Sequence, residues 1–286
     1  MTSVLRVGGV PEHFNYPWRL AIRAGVFESS GVAVEYIDYP GGTGAMADGL
    51  RQRDIDIALM LTEGAVLDIL RGSGNRLLKV YVESPLTWGI HVAAGSDLTS
   101  PAEMEGRAVA ISRHGSGSHL IAVVDAGQRG FAIDAMRFVV VDNLDGARRS
   151  LAAGDAEIFL WEKHMTQPLV DSGEFRRIGE RVVPWPAFVV AVHNDALERH
   201  AGELRAVLDA VWNTAAALQA SADGASRVAR AYGISESDAA AWLNGVQWCR
   251  DYAMPEAALE RVIAALAAQG AVAAPPESLE GLWHAL

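Results

Sequence analysis

Ile111-Ser112-Arg113-His114-Gly115-Ser116-Gly117-Ser118-His119 follows directly on the short apolar run Ala108 to Ile111. Its reading decides the fold. An apolar strand breaks into a Gly/Ser-rich turn and opens a helix, so backbone N–H groups, hydroxyls, an arginine and two imidazoles gather at a positive helix end. A small polar or anionic ligand is favoured there. Two phosphate fingerprints are excluded: the chain has no G-x-x-x-x-G-K-[ST], and Gly115 and Gly117 lack the third glycine of a dinucleotide loop. A plain serine-capped helix entry accounts for the same residues, and the rest of the chain has to weigh the two readings.

Working outward, residues 4 to about 130 alternate strand, turn and helix, with apolar runs short enough for a buried, mainly parallel sheet. The spacing predicts strands at Leu5–Gly8, Val32–Ile37, Ile55–Leu59, Leu77–Val82, His91–Ala94 and Ala108–Ile111, then Arg137–Val141, Ala156–Leu160 and Phe188–Val192. Helices are predicted at Trp18–Ser29, Gly44–Gln52, Glu63–Arg71, Gly146–Ala153 and Met165–Ser172. From Asp195 onward the chain is alanine-rich and reads as helices near 200–221, 222–232, 235–250 and 255–269. The extended stretches Ser84–Gly89 and Pro184–Pro186 read as two crossings between domains. Two crossings make the first domain discontinuous.

Composition narrows the function classes. The chain has 286 residues, half of them hydrophobic, ample for one or two packed cores. A net charge of -11 and a pI near 5.2 argue against a nucleic-acid or anionic-membrane surface. Only Lys79 and Lys163 are available for Schiff-base chemistry, and no cofactor motif surrounds either. The single cysteine, Cys249, excludes an internal disulfide and a cysteine-built zinc site, and reads as a buried structural thiol in a helix. No apolar run reaches membrane-spanning length. The amino terminus lacks the pattern of a secretory leader, so the expectation is a cytoplasmic protein as written, or a periplasmic one from which a leader was removed.

In an open α/β sheet, ligands sit beyond the carboxyl ends of the strands. The loop Gly9-Val10-Pro11-Glu12-His13-Phe14-Asn15-Tyr16-Pro17-Trp18 follows the first strand and is dense in aromatic and hydrogen-bonding groups; Phe14 and Trp18 would equally serve as packing anchors. Pro40-Gly41-Gly42-Thr43-Gly44 is a second helix entry with exposed donors. Thr62-Glu63 and Trp161-Glu162 place two carboxylates where they would hold an amine, an amidine or a ring N–H, or act as acid and base. Trp161 beside Glu162 supplies a stacking face next to an acceptor. His13, His91, His114 and His119 match no helical zinc motif, and no G-x-S-x-G elbow occurs. No cofactor or metal is expected.

The run Tyr16-Pro17-Trp18-Arg19-Leu20-Ala21 through Gly25 to Val32, then Gly41-Gly42-Thr43 and Asp54-Ile55-Asp56-Ile57-Ala58, resembles the opening of type II periplasmic-binding-protein folds. More narrowly it is similar to the ABC-importer solute-binding branch that includes aliphatic-sulfonate, taurine and thiamine-pyrimidine-precursor binders. Leu98 to Val109, the turn Ser112 to His119, and Ala147 to Asp155 leading into Trp161-Glu162 extend the resemblance, which covers roughly residues 4–195. It implies two lobes, 1–89 plus 187–286 with the C-terminal helices, and 90–186, each a mixed, mainly parallel sheet flanked by helices, closing by hinge motion. Carried over by position, the first lobe would bind ligand through His13, Phe14, Asn15, Tyr16, Gly42, Thr43, Thr62 and Glu63. The second would use Arg113, His114, Ser116, Gly117, Ser118, Asn143, Trp161 and Glu162, with Trp88 and Trp185 near the hinge.

The function expected from this reading is binding of a small organic solute, a flat nitrogen heterocycle or a small zwitterion or anion, with an ABC permease as a possible partner and a monomeric or weakly dimeric state. An enzyme on the same fold, using Glu63 or Glu162 with His114 or His13, is the alternative. An effector domain of the LysR type without its DNA-binding helices is a third. Two enzyme branches of the fold fit poorly: one needs a cysteine-rich stretch and a histidine where Thr62-Glu63 stands, and the other a nucleophilic cysteine in the cleft.

Overall fold

A computed structural model describes residues 3–28, 31–272, 276 and 278–286. The first pass of the chain runs β1 (Ser3–Gly9), α1 (Tyr16–Arg23), β2 (Val32–Asp38), α2 (Gly42–Gln52), β3 (Ile57–Leu61), α3 (Thr62–Leu70) and β4 (Asn75–Val82). A second pass follows with β5 (Thr87–Ala93), β6 (Ala108–Ile111), α4 (Gly117–Arg129), β7 (Arg137–Val140), α5 (Leu144–Ala153), β8 (Ile158–Glu162), α6 (Gln167–Asp171) and β9 (Phe175–Val182). The chain then returns through β10 (Phe188–His193) to α7 (Asn194–His200), α8 (Leu204–Ala220), α9 (Gly224–Tyr232), α10 (Glu236–Gly245) and α11 (Glu256–Ala268).

The strands form two five-stranded sheets of one plan, β2-β1-β3-β10-β4 and β7-β6-β8-β5-β9. In the first, β1 lies parallel to β2 and β3, while β10 is antiparallel to β3 and β4. In the second, β6 lies parallel to β7 and β8, while β5 is antiparallel to β8 and β9. The reversed strand in each sheet is the one that has just arrived from the other sheet. Its beginning therefore lies beside the carboxyl ends of its neighbours: Phe188 pairs with Leu61, and Trp88 with Glu162. All the functional ends of both sheets thus face one side, the arrangement that builds a cleft.

Sequence pattern explains the elements. Leu5, Val7, Ile57 and Leu59 are fully buried in the first sheet, and Trp18, Met46 and Leu50 cover them from α1 and α2. The main core continues through the crossings by way of Leu86, Trp88, Val183 and Trp185, and a smaller cluster of Ala110, Ala147, Leu151, Phe159 and Phe175 fills the far face of the second sheet. The C-terminal helices pack on the first lobe, with α8 against α1 and α11 against α3. The expected two-lobed α/β architecture is present.

Several local expectations change. The helix predicted over Trp18–Ser29 stops at Arg23, because Gly25 takes a left-handed φ of 66°; Ser29 itself lies outside the described residues. β9 corresponds to no predicted element. Residues 87–89, assigned to a crossing, already pair in the second sheet. Cys249 is not helical: α10 ends at Gly245, and the following stretch runs alongside β4, with the Cys249 N–H donating to the Tyr81 carbonyl at 3.0 Å.

Candidate functional site

The carboxyl ends of β1, β2, β3, β6 and β8 and the beginnings of β5 and β10 border one partly open cavity. The first sheet contributes Val10, Glu12, Gly41, Gly42, Thr43, Leu61 and Phe188. The second contributes Ser112, Ser116, Gly117, Trp88, Trp161 and Glu162, with Leu86 from the crossing. No arginine, lysine or histidine borders it among the described residues.

The electrostatics are set by two carboxylates, one from each sheet. Glu12 and Glu162 are both buried. Burial raises Glu12 to about 8, and the facing charge of Glu162 adds to the rise. Burial likewise raises Glu162 to about 7, against the pull of the Met165 N–H, which donates to its Oε2 at 2.7 Å. Two acids with suppressed ionisation around a cavity without a counter-cation leave an unmet demand for positive charge or N–H donors.

Around them the wall is aromatic and hydroxylic. Trp161 stacks on Phe159 at 5.2 Å, which fixes its ring plane. Trp88 is buried, and among the described residues its indole N–H has no hydrogen-bond partner. Gly42 enters α2 with φ 70°, a conformation that suits glycine, and Thr43 Oγ1 accepts the Leu61 N–H at 3.1 Å, tying the α2 entry to the end of β3. Ser116 caps α4 by accepting the His119 N–H at 3.3 Å. Ser118 supports that turn from below, accepting the Ser112 N–H at 3.0 Å. The turn therefore combines both sequence readings: it is a serine-capped helix entry, and Ser112, Ser116 and Gly117 border the cavity.

Of the residues singled out from sequence, Gly42, Thr43, Trp88, Ser116, Gly117, Trp161 and Glu162 come together here. Others are set back from the cavity. His13 is fully buried behind Glu162, its Nε2 3.8 Å from Oε2, and burial together with His164 holds it well below its usual range, so it is neutral. Phe14 packs on Phe188 and Trp242, and its carbonyl accepts from Tyr81 and Trp248. Asn15 Nδ2 donates to the Val10 carbonyl at 2.9 Å, shaping the loop, and Tyr16 packs against Tyr232. The Thr62 hydroxyl donates to the Pro186 carbonyl at 2.6 Å, joining α3 to the returning crossing. Glu63 accepts the Trp185 indole N–H at 3.0 Å and is raised to about 7 by burial, but does not border this cavity. Arg113 and His114 face an adjoining outer groove with Arg51, Asp68 and Arg71, which shares Thr43 with the cavity. Asn143 caps α5, accepting the Gly146 N–H at 3.0 Å. The acid–base pairs proposed from Glu63 and His114 are therefore not assembled around the cavity.

Glu12 is the principal residue that the sequence reading passed over. It stood in the quoted loop beside four more conspicuous side chains. The available signal was its position directly beyond the first strand, two residues after the border residue Val10.

Two sheets of one topology, joined by two crossings around a polar-lined cavity, define a class of protein: the chain has the two-lobed periplasmic-binding-protein fold. A family model described as Ca3427-like periplasmic binding protein matches residues 88–181. The Candida albicans CA3427 gene product, described as having the generic periplasmic-binding-protein fold, is 26% identical over 96% of this chain and 92% of its own, with a TM-score of 0.88. The aliphatic sulphonate binding protein SsuA of Escherichia coli aligns over 99% and 93% at 15% identity and a TM-score of 0.74. The nitrate-binding protein NrtA of Synechocystis PCC 6803 aligns over 98% and 84% at 14% identity and a TM-score of 0.74. No curated protein sequence matches the chain. The type II resemblance read from sequence holds at the level of fold.

Proposed function

We propose that this chain binds a small, flat, nitrogen-containing solute that presents a cation or N–H donors, such as an amidine or an aminated heterocycle. One observation carries the reading: Glu12 and Glu162, buried on opposite lobes, border the same cavity, and among the described residues no basic side chain does. A ligand cation between them would satisfy both carboxylates and draw the lobes together, while Trp161 and Trp88 offer apolar faces to a ring. This sets the cavity apart from an anion receptor, although SsuA and NrtA are named for sulphonate and nitrate. The two lobes, one built on β1–β4 and β10 with the C-terminal helices and the other on β5–β9, would close as units, and delivery to an ABC permease in a periplasmic setting is the role that the solute-binding neighbours support.

The test is a calorimetric and thermal-shift comparison of benzamidine and 4-aminopyrimidine against nitrate and an alkanesulfonate, alongside native mass spectrometry of freshly purified protein. The cationic or N–H-rich compounds should raise the unfolding midpoint by mass action. Binding of nitrate or sulfonate in their place would overturn the ligand class. Turnover of a bound compound would overturn the assignment as a binding protein.

A further inference from the structure

In a chain of net charge -11, four arginines converge on one surface pocket that no aspartate or glutamate borders. Arg19 and Arg23 come from α1, Arg227 and Arg230 from α9, and Tyr16 and Tyr232 also line it. The spacings are i,i+4 on one helix and i,i+3 on the other, so each helix places two like charges on a single face, an arrangement that costs stability. Two of the four charges meet a carboxylate. Arg19 pairs with Asp38, and Arg227 reaches Asp223 only at 3.9 Å. Arg230 Nη1 donates to the Ser226 hydroxyl at 2.6 Å, and among the described residues neither Arg230 nor Arg23 has a carboxylate within 4.0 Å. Two pairs of guanidinium forks, one from each helix, bordering the same pocket match an anion bearing several oxygens at each of two centres, since each fork binds phosphate bidentately.

We propose that this pocket is a second ligand site, separate from the inter-lobe cavity, which takes a compact anion carrying a diphosphate group. It shares no bordering residue with that cavity, so it stands whether or not the cleft reading holds. The experiment is isothermal titration of the whole chain with pyrophosphate, ADP and orthophosphate at ionic strength held constant with NaCl. Pyrophosphate and ADP should bind with similar affinity, and orthophosphate at least ten-fold more weakly. The double variant Arg23→Gln, Arg230→Gln should lose at least ten-fold in pyrophosphate affinity, and Arg230→Gln alone should lose part of it. Arg137→Gln, on the edge strand β7, should bind as the native chain does. The proposal is overturned if NaCl alone reproduces the heat, if ADP binds while pyrophosphate does not, or if the variants, shown to be folded by circular dichroism, bind pyrophosphate with native affinity.

Discussion

Three buried carboxylic acids govern this protein at the scale of single residues, and pH separates their roles. Glu63 is 3% exposed and raised from 4.5 to about 7, with one oxygen held by Trp185 and the other without a partner. Because the native state holds its proton more tightly than the unfolded chain, the linked stability is fully present below about pH 4.5 and is lost as pH rises through about 7. The shift corresponds to about 3 kcal/mol. Glu63→Gln should remove that slope: the stability difference between variant and native, measured by urea unfolding, should move in favour of the variant by about 3 kcal/mol from pH 5 to pH 8. An unchanged difference would refute the buried-acid account. Glu12 and Glu162 follow the same sign in stability but face a ligand, so benzamidine should bind more tightly as pH rises from 6 to 8 and release protons as it does. Glu162→Gln should flatten this dependence in calorimetry run in two buffers of different ionisation heat. Trp161-Glu162 was legible from sequence because strand periodicity ends there and leaves both residues at the sheet edge. Glu12 was not, since a loop has no period to say which way its side chains turn.

At the scale of elements, the same sequence features divide into capping and contact. Asn143 illustrates the division: an asparagine directly beyond a strand resembles a ligand contact, yet its oxygen is spent on the first turn of α5. Asn143→Ala should therefore cost about 1 kcal/mol of stability through loss of the cap while leaving solute affinity unchanged. A ten-fold loss of affinity with unaltered stability would reverse that assignment. The strands of both buried sheet centres were visible as short apolar runs. β9 was not, because Phe175-Arg176-Arg177-Ile178-Gly179-Glu180-Arg181-Val182 sits at a sheet edge and pairs only with β5, a position that tolerates charge where a central strand does not. Its arginines work locally: Arg181 pairs with Asp125 of α4, and Arg177 Nη2 donates to the Lys163 carbonyl. Cys249 escaped the periodicity in the opposite direction, since the apolar residues around it continue a helical pattern past the point where Val246 turns extended.

For the whole molecule, the decisive geometry is the meeting of the two sheets, and Gly117 marks it. A Cβ at this position would lie 2.3 Å from Leu61 Cδ1, on the other sheet, and 3.2 Å from the Trp88 ring. The turn that opens α4 thus presses against the end of β3, and the lobes touch at a residue that has no side chain to hold them apart. Its backbone lies outside the left-handed region, so a larger residue is resisted first by Leu61 of the opposite lobe and then by the Trp88 ring of its own sheet, not by its φ. The common topology of the sheets was hidden in the sequence, because hydrogen-bond order leaves no fixed-period repeat, whereas the two crossings were visible as extended, proline-marked stretches. Closure is accordingly a property of contacts between segments distant in sequence. Gly117→Val should keep the ligand-free protein folded with an unfolding midpoint within a few degrees of native, while weakening benzamidine binding at least ten-fold. In small-angle scattering, the native chain should compact toward a radius of gyration of about 19 Å on saturation, and the variant should remain expanded at the same ligand concentration. Compaction of Gly117→Val to the native value would show that this contact does not limit closure.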